Sequence, residues 1–297
     1  MTARPILVTG GSGQLALALD AAARVPMRRV GRPAFDFDRP ETIEACFRAA
    51  DPWLVVNAAA YTAVDAAETD QDAAFCANRE GPAEVARLCA GAGIPLIHVS
   101  TDYVFDGAKQ SPYVETDPVR PQGVYGATKL AGEQAVLASG AHAIILRTAW
   151  VYSHTGKNFV RTMLTAGRTR DRLTVVADQV GCPTAAADLA DAILAIASRI
   201  AEGGWQPAYQ GVFHAAGSGE TTWHGLACAV FRDAERHGMT PPRVDPIRTD
   251  DWPTPARRPA NSRLDCSRLQ SVFGVRLPRW ENSVARAVDR IFAEATP

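Results

Sequence analysis

Short apolar runs alternate with longer helical patterns through the first half of the chain. The apolar runs are rich in β-branched residues and are predicted to be buried strands over residues 5–10, 53–60, 94–102 and 142–150. The stretches between them are rich in alanine and leucine and predict helices over residues 14–24, 72–93 and about 125–139. Near-continuous apolar strands that alternate with helices indicate a parallel sheet covered on both faces.

The alternation loosens after Trp150. Residues 240–264 are rich in proline and arginine and have no sustained period. This segment is too long for a plain connector, and we predict a functional loop region there. Around it, the pattern predicts helices over about 157–168, 184–201, 222–237 and 280–295, and strands over 173–178 and 211–217.

A glycine-rich turn joins the first predicted strand to the first predicted helix. In VTGGSGQLA (residues 8–16), Gly10, Gly11 and Gly13 allow a tight turn and the close approach of a pyrophosphate to the helix N-terminus. Ala16 stands where the longer glycine fingerprint often has its last glycine. Because the turn follows the first strand at once, the pattern favours a dinucleotide-binding site over a plain glycine turn.

These patterns predict an α/β protein with a Rossmann-type doubly wound parallel sheet and a smaller C-terminal substrate-binding domain. We expect residues 1–150 to form an NADP(H)-binding Rossmann domain, to which residues of about 173–217 return in part. Residues 151–172 and 218–297 are then expected to form mainly the substrate-binding domain.

The end of the second strand, expected near RRVGRP (residues 28–33), bears on the choice of cofactor. A carboxylate at this position bonds the ribose hydroxyls of NAD, whereas an arginine suits the 2′-phosphate of NADP. Here the position holds Gly31 and Arg32, with Arg28 and Arg29 close by. NADPH is therefore predicted as the preferred cofactor, with NADH as an alternative. The other interpretation is that these arginines are ordinary solvated charges.

YGATK (residues 125–129) places a tyrosine four positions before a lysine, on one face of a predicted helix. Thr101 and Asp102 end the fourth predicted strand, at the edge where α/β sheets bind ligands. In a reduction site, Tyr125 would protonate a carbonyl oxygen as hydride reaches its carbon, and Lys129 would supply the cation that makes the phenol a useful acid. Thr101 would hydrogen-bond the developing oxyanion. Tyrosine and lysine often occur at this spacing by chance, and it is the glycine-rich turn that gives the pair weight.

The composition is that of an ordinary globular protein. The chain has 297 residues, is 47% hydrophobic and 21% charged, and has a formal net charge of −1, with no block of lysine and arginine that would predict binding to nucleic acid. No run approaches the roughly 20 apolar residues needed to span a bilayer, and the N-terminal apolar run is too short for a signal sequence. The six cysteines form no C-x-x-C pair, which favours free thiols in a reducing cytoplasm.

The motifs together resemble those of a known family. The glycine-rich turn, NAAA (57–60), STDYVFDG (100–107) and YGATK resemble the extended short-chain dehydrogenase/reductases. The second half is similar to one branch of them, the dTDP-4-dehydrorhamnose reductases, over four rarer blocks at residues 147–164, 175–184, 221–227 and 252–264. The similarity covers nearly the whole chain. It implies reduction of the 4-keto group of dTDP-4-dehydro-β-L-rhamnose to dTDP-β-L-rhamnose, the last step of dTDP-L-rhamnose biosynthesis, with NADPH or NADH as hydride source.

The resemblance also implies roles for single residues. Tyr125 would be the proton donor, Lys129 its cationic neighbour and Thr101 the hydroxyl that tunes the pair. The residues expected to bind the cofactor are Gly10, Gly13, Gln14, Leu15, Arg32, Asp36, Phe37, Ala59, Ala60, Thr62, Tyr125 and Lys129. Those expected at the substrate are Val64, Thr101, Asp102, Trp150, Asn158, Arg257 and Asn261, with Arg258 beside them. Trp150 could instead be a core aromatic, and the two arginines could belong to a solvated loop.

The chain departs from the resembled family at one feature. Some members form a dimer around a magnesium ion held by glutamates, at positions that here hold Ala18 and Ala187. Alanine cannot ligate a hard cation, which requires oxygen. We therefore expect no metal, and either a monomer or a weak dimer that magnesium does not bridge.

Two other functions stay open on the sequence. One is a related nucleotide-sugar reductase, epimerase or dehydratase on the same scaffold. Dehydratases usually add an acidic pair beside the catalytic hydroxyl, whereas STDYVF supplies one acid. The other is a non-catalytic NADP-binding regulatory subunit of a partner enzyme, against which the intact set of Thr101, Tyr125 and Lys129 argues.

Overall fold

The computed structural model describes residues 4–295. Residues 1–3 and 296–297, which the predicted domains include, lie outside the described residues. The strands in chain order are β1 (Ile6–Thr9), β2 (Met27–Val30), β3 (Leu54–Asn57), β4 (Leu96–Thr101), β5 (Ala143–Thr148), β6 (Val151–Tyr152), β7 (Arg172–Val176), β8 (Val180–Gly181), β9 (Thr184–Ala185), β10 (Gly211–His214), β11 (Thr221–Thr222), β12 (Arg243–Ile247) and β13 (Asn261–Ser262).

The α-helices connect and cover these strands. They are α1 (Gln14–Ala22), α2 (Pro40–Ala50), α3 (Val64–Ala67), α4 (Gln71–Phe75), α5 (Gly81–Ala92), α6 (Val124–Ala138), α7 (Phe159–Gly167), α8 (Ala186–Gly203), α9 (Trp223–Glu235), α10 (Ser267–Phe273) and α11 (Trp280–Ala295). The predicted helix over 72–93 is confirmed, but a π-helical turn at Cys76–Glu80 interrupts it. Pro82 has no N–H to continue the α-helical pattern, so the helix widens just before it.

A six-stranded parallel sheet forms the centre, in the order β10-β5-β4-β3-β1-β2. Alternate residues of each strand point to opposite faces. Ile6 and Val8 of β1 pack on one side with α1 and α8, whereas Leu7 packs on the other side with α2 and α5. The predicted α/β fold with a doubly wound parallel sheet is therefore confirmed.

The chain leaves the central sheet after β5 and returns to it once. Helix α8 packs against α1, and β10 pairs with β5. Strand β7 also lies in the range 173–217, but it pairs with β12 outside the central sheet. Helices α7, α9 and α11 enclose a second core there, built on Val160, Val230 and Val288. The domain boundaries themselves stay a prediction.

The prediction of a loop over 240–264 is wrong in part. Residues 243–247 form β12, which pairs in parallel with β7, and Asn261–Ser262 form β13. Strand β12 has the sequence RVDPI, whose proline and charges hide the strand pattern. A proline fits because the strand lies at the edge of a two-stranded sheet. Asp245 of β12 also forms an ion pair with Arg172 of β7, which links the two strands, and a second ion pair with Arg243 of its own strand.

Candidate active site

The carboxyl ends of the central strands bring the expected site residues to one edge. The strand order reverses between β1 and β3, and such a switch point forms the crevice in which α/β proteins bind ligands. The glycine-rich turn follows β1, and the 58–63 segment follows β3. Thr101 ends β4, and Trp150 comes shortly after β5.

The turn after β1 has the shape of an anion cradle. Gly10 has a φ of +104°, and a Cβ on it would lie 3.0 Å from the Ala58 carbonyl oxygen. Gly13 is the N-cap of α1 and makes no side-chain bond to the helix, so the first N–H groups of α1 remain available to an anion. These residues fit the pyrophosphate of a dinucleotide.

Two expected cofactor residues on α1 are placed differently from each other. The Leu15 side chain is buried in the core below the sheet, so it can offer a cofactor only its backbone N–H. Gln14 lies at the start of α1, where its Oε1 accepts a hydrogen bond of 3.0 Å from Asn158 Nδ2. This bond joins the glycine-rich turn to the segment before α7.

The segment after β3 lies against the same turn. The Ala59 N–H donates to Thr9 Oγ1 at 3.2 Å, which fixes the start of the segment at the end of β1. Ala60 is half-buried and Thr62 is exposed. Val64 begins α3 and is half-buried beside the cavity described below.

The residues expected at the adenine end form a charged group of their own. Arg32 Nε donates to Asp36 Oδ1 at 2.8 Å, and its Nη2 donates to Asp38 Oδ2 at 2.5 Å. A 2′-phosphate would therefore meet Arg32 together with two carboxylates. The Phe37 ring is buried against Gly81, where a Cβ would lie 2.2 Å from it, so this ring belongs to the core.

Thr101, Tyr125 and Lys129 lie where β4 meets α6. Thr101 is the last residue of β4, and its side chain is hydrogen-bonded to that of Tyr125 in the first turn of α6. Lys129 follows one helical turn later and is only 1% exposed. Its Nζ donates to the Val99 carbonyl oxygen at 2.8 Å.

Burial sets the protonation of this group. It raises the pKa of Tyr125 to about 12, although the Thr101 hydrogen bond acts in the opposite direction. It lowers the pKa of Lys129 to about 8, while the negative charge of Glu133 raises it. At neutral pH the phenol thus keeps its proton and the amine is mainly an ammonium. This is the state required of a group that donates a proton to a carbonyl oxygen.

Asp102 is a buried carboxyl group next to Thr101. Its Oδ1 accepts the Thr101 hydroxyl at 3.0 Å, and its Oδ2 has no hydrogen-bond partner in the described part of the chain. Burial raises the pKa of Asp102 to about 6, although the nearby hydroxyl groups of Ser262 and Thr101 act in the opposite direction. A buried carboxyl oxygen without a partner is available to a substrate hydroxyl.

Trp150 is held in an uncommon conformation. Its φ is +49°, a value that bulky residues rarely adopt and keep only where the surroundings fix them. The ring stacks on Trp223 with centroids 3.6 Å apart, and Trp223 Nε1 donates to Gln179 Oε1 at 3.1 Å. Gly181 makes room, since a Cβ there would lie 2.5 Å from the Trp150 ring. This support favours a contact role for Trp150 over that of an interchangeable core residue.

A cavity of about 1190 Å³ adjoins the site, since Asn158 of its lining bonds Gln14 and Trp223 of its lining stacks on Trp150. It is lined by α7, β7 and parts of the segment 252–258, with Trp223 in its wall. Trp252 stands in this lining with 60% of its surface exposed. The size and the mixture of apolar, aromatic and charged groups suit a ligand as large as a nucleotide sugar.

The residues expected at the nucleotide end separate into two pairs. Asn158 and Arg258 line the cavity, and Arg258 Nη2 bonds Asp65 Oδ2 at 2.7 Å. Arg257 is exposed and lies outside the cavity lining. Asn261 is buried, and its Nδ2 donates to the carbonyl oxygens of residues 109 and 111. The structure therefore places Asn158 and Arg258 in the lining of one cavity, and it does not place Arg257 or Asn261 there.

Sequence reasoning did not single out Trp223, Gln179 or Asp65. Trp223 and Gln179 lie within the resembled blocks 221–227 and 175–184, so a signal was present. Asp65 carried none, because its partner Arg258 is 193 residues away in the chain. Among residues 4–295, no group of three or more His, Cys, Asp or Glu could hold a metal ion. Ala18 lies on α1 and Ala187 on α8, and the expectation about magnesium stays a prediction.

Within residues 4–295, no helix is both long and apolar enough to cross a bilayer.

Comparison with known proteins identifies the family. Residues 4–292 match the family model described as RmlD substrate binding domain. A dTDP-4-dehydrorhamnose reductase of Sinorhizobium fredii is 47% identical over 291 residues, which cover 97% of this chain and 98% of that protein.

Two solved structures resemble the chain over almost its full length. The crystal structure of a dTDP-4-dehydrorhamnose reductase from Clostridium acetobutylicum matches with a TM-score of 0.88 and 36% identity, covering 97% of this chain and 99% of that one. A dTDP-4-dehydrorhamnose reductase from Bacillus anthracis, in complex with NADP, matches with a TM-score of 0.87 and 30% identity, covering 98% and 99%. The chain therefore belongs to the family of the RmlD substrate binding domain.

Proposed function

We propose that the protein reduces the 4-keto group of dTDP-4-dehydro-β-L-rhamnose to a hydroxyl, giving dTDP-β-L-rhamnose with NADPH or NADH as hydride source. This is the last step of dTDP-L-rhamnose biosynthesis. The observation that carries the proposal is the set of Thr101, Tyr125 and Lys129 at the switch-point edge, between a pyrophosphate cradle and a large cavity. Relatives that align over nearly the whole chain are named as dTDP-4-dehydrorhamnose reductases, which supports the same reaction.

The protein's own groups would handle the proton and the geometry of the reaction. When bound, the reduced nicotinamide supplies the hydride that the reaction needs. Tyr125 holds a proton at its phenol oxygen, ready for the carbonyl oxygen of the sugar. The Thr101 hydroxyl, which donates to Asp102 in the resting site, would turn to the phenol oxygen and stabilise the negative charge that appears as that proton leaves. Lys129, held by the Val99 carbonyl, keeps a positive charge within the same buried region.

The residues of the cradle would hold the dinucleotide. Gly10, Gly13 and the N-terminus of α1 take the pyrophosphate, with Gln14 and the backbone of Leu15 beside it. Ala59, Ala60 and Thr62 belong to the segment that lies against the cradle, and we expect them near the ribose and nicotinamide. The Lys129 ammonium would bond the nicotinamide ribose. The solved complex of a relative with NADP supports the binding of a nicotinamide cofactor by this protein.

We propose NADPH as the preferred cofactor, with NADH also accepted. The Arg32 guanidinium suits a 2′-phosphate, because guanidinium binds phosphate in a bidentate manner. Asp36 and Asp38 already bond Arg32, and their charges oppose a phosphate while suiting ribose hydroxyls. The discrimination between the two cofactors should therefore be modest.

The substrate would lie with its sugar at the sheet edge and its nucleotide in the cavity. Asp102 and Trp150 follow strands that end at this edge, and Val64 directly precedes Asp65 of the cavity lining. Arg258 and Asn158 line the cavity and are the groups best placed for the diphosphate or the base. We keep Arg257 and Asn261 as weaker candidates.

Assembly and location are further parts of the proposal. We propose a monomer, or a weak dimer without a bridging magnesium ion, because alanine occupies positions 18 and 187. We also propose a cytoplasmic protein. All six cysteines are free thiols in the structure, as expected in a reducing compartment.

The deciding experiment follows the absorbance of the reduced nicotinamide with dTDP-4-dehydro-β-L-rhamnose generated in place. NADPH and NADH are compared at equal concentration, and the product is identified as dTDP-β-L-rhamnose. A folded protein that binds NADPH but leaves this substrate unchanged would contradict the proposal. Oxidation with a UDP-linked 4-keto sugar alone would point to a related nucleotide-sugar reductase.

A further inference from the structure

A line of buried polar side chains crosses the sheet beneath the proposed cofactor site. Thr9, Asn57 and His98 are all 0% exposed, and the line ends at Lys129. The proposed mechanism uses Lys129 and leaves the other three without a role. Buried polar groups are costly to place in a core unless they bond one another, so their alignment calls for a physical reason.

The register of the parallel strands creates this line. Thr9 of β1 pairs with Asn57 of β3, and Asn57 pairs with His98 of β4. Side chains alternate along a strand, and these three share the sheet face of Leu7, Val55 and Leu96, on which α5 and α6 also pack. Helix α6 lies over this face and carries Lys129. The line therefore leads directly to the proposed catalytic helix.

The hydrogen bonds are continuous from the cofactor cradle to the lysine. The Ala59 N–H donates to Thr9 Oγ1 at 3.2 Å, and the Thr9 hydroxyl donates to Asn57 Oδ1 at 2.6 Å. Asn57 Nδ2 lies 3.0 Å from His98 Nδ1, and His98 Nε2 lies 3.5 Å from Lys129 Nζ. One end of the line is thus the backbone beside Gly10, and the other is the ammonium that would face the cofactor ribose.

His98 is suited to serve as a neutral partner for this ammonium. Burial and the charge of Lys129 lower the pKa of His98 well below its ordinary value, so the ring stays neutral. A neutral imidazole has one nitrogen that donates and one that accepts. When Asn57 turns its oxygen to Nδ1, Nε2 becomes the acceptor for Lys129, and the Asn57 amide then donates to Thr9. With the amide unturned, Nδ1 accepts from Asn57 Nδ2, and the Nε2 proton then faces the Lys129 ammonium as a second donor. Only the turned amide lets the ammonium donate to His98, and Asn57 with Thr9 holds the ring in that tautomer.

We propose that His98 is a positioning residue for the hydride-transfer site. With the Val99 carbonyl, it fixes the direction of the Lys129 ammonium, and Asn57 and Thr9 hold it in the required tautomer. The proposal rests on the role of Lys129 in the proposed function. The competing interpretation is that His98 is an ordinary core histidine whose polar atoms are satisfied.

A matched pair of variants separates these interpretations. In His98→Gln, the longer amide reaches the place of Nε2 and can still accept from Lys129. In His98→Asn, the shorter amide mimics Nδ1, so it keeps the bond to Asn57 and loses the one to Lys129. Both variants are measured for the NADPH dissociation constant by fluorescence, the Michaelis constant for NADPH, kcat and the melting temperature.

We expect His98→Asn to weaken NADPH binding by about 10-fold or more, since a hydrogen bond to a charged group is lost. His98→Gln should recover most of the affinity, and the two variants should differ far less in melting temperature. Equal NADPH constants for both variants, or changes confined to the melting temperature, would overturn the proposal. The binding measurement needs no sugar, so it decides the role of His98 even if the reductase assay is silent.

The far end of the line provides a second test that leaves His98 intact. Thr9→Val removes the hydroxyl with little change in shape, whereas Thr9→Ser keeps it. We expect Thr9→Val to weaken NADPH binding severalfold relative to Thr9→Ser. This pair decides the matter if His98→Asn does not fold, and indistinguishable NADPH affinities would again count against the proposal.

Discussion

The two sides of the proposed site are built in different ways. On the proton-donor side, Thr101, Tyr125 and Lys129 come from one strand and the helix that follows it, and Lys129 is almost fully buried. On the nucleotide side, Asp65 meets Arg258 across 193 residues of chain, in a cavity open enough to leave Trp252 exposed. The reacting groups are thus fixed by local structure, while the substrate pocket depends on how distant segments pack.

This difference predicts how substitutions on the two sides of the site should affect activity. A buried group at the sheet edge is held in one orientation, so its loss should lower kcat strongly and weaken ligand binding only slightly. A half-exposed group in an open cavity contributes binding that water and neighbouring side chains can partly replace. Substitutions on the two sides should therefore separate in kcat and in the Michaelis constants.

The largest effect is expected at Tyr125. Tyr125→Phe keeps the ring, including its contact with Tyr103 at 5.4 Å, and removes the proton donor. We expect kcat to fall by about 10²- to 10⁴-fold, the usual contribution of general acid catalysis, with NADPH affinity little changed. Single-turnover and steady-state kinetics measure the loss. Near-normal kcat in a folded variant would remove Tyr125 from the mechanism.

The next largest effect is expected on the nucleotide side of the site, at Arg258. Arg258→Ala removes a guanidinium from the cavity, and we expect the Michaelis constant for the dTDP-sugar to rise by about 10-fold, with kcat little changed. Arg257→Ala is the matched control, because Arg257 is adjacent in sequence but lies outside the cavity lining. Competition by dTDP should weaken in parallel for the Arg258 variant. Equal effects of the two substitutions would show that the cavity does not hold the nucleotide.

A smaller effect concerns stability at the sheet edge. The pKa of Asp102 is raised to about 6 in the folded protein, from an ordinary value of 3.8. The folded state therefore binds this proton more tightly, and the associated stability is present below about pH 4 and is lost as the pH rises through 6. The Asp102→Asn variant has no carboxyl proton to lose. Between pH 4 and pH 7, its free energy of unfolding should therefore rise relative to that of the parent by on the order of 2 kcal/mol.

The control for Asp102 is a carboxylate of opposite behaviour. Hydrogen bonds from the Ala108 N–H and the Tyr113 hydroxyl lower the pKa of Asp106. Its contribution to stability is fully present above its ordinary pKa of 3.8 and is lost only as the pH falls further, through the lowered pKa. Asp106→Asn should therefore differ from the parent by a nearly constant free energy of unfolding between pH 4 and pH 7, and this difference should shrink only below pH 4. Denaturant titrations at several pH values measure both trends. A pH-independent difference for Asp102→Asn would mean that the buried carboxyl ionises at its ordinary pKa.

The smallest effect is expected at the adenine end. Asp38→Asn removes one of the two charges that bond Arg32, and we expect NADPH to bind about 2- to 5-fold more tightly while NADH is unaffected. Asp51→Asn is a suitable control, since Asp51 precedes β3 at the amino ends of the strands, away from the proposed cofactor site, and pairs with Arg4. An unchanged ratio of the two dissociation constants would mean that Arg32 does not meet the 2′-phosphate.

Several elements could be predicted from sequence because their signals are local. The glycine-rich turn, the apolar strands and the helix of YGATK are each carried by adjacent residues, and the structure confirms them. Helices α2 and α10 and strand β12 were not predicted. Strand β12 contains a proline and two charged residues, and it exists because β7 offers it a partner. Such pairing is a property of the folded chain.

The candidate site divides in the same way. Tyr125, Lys129 and Thr101 were found from spacing and from position at a strand end. Asp65 and Gln179 could not be found in this way, because each gains its role through a partner far along the chain. Leu15 and Phe37 were expected to bind the cofactor, but their side chains are buried in the core. An apolar side chain is stabilised more by burial in the core than by contact with a polar crevice.

The sequence by itself determined the α/β class, the dinucleotide cradle and the tyrosine and lysine that share a helix face. Each of these depends on backbone conformation or periodicity over a few residues, which neighbouring side chains dictate. Only the tertiary structure decided that Thr9, Asn57 and His98 stand in line, that Trp150 rests on Trp223, and that Arg258 enters the cavity while Arg257 does not. Strand register and the packing of distant segments set these contacts, and they exist only once the whole core has formed.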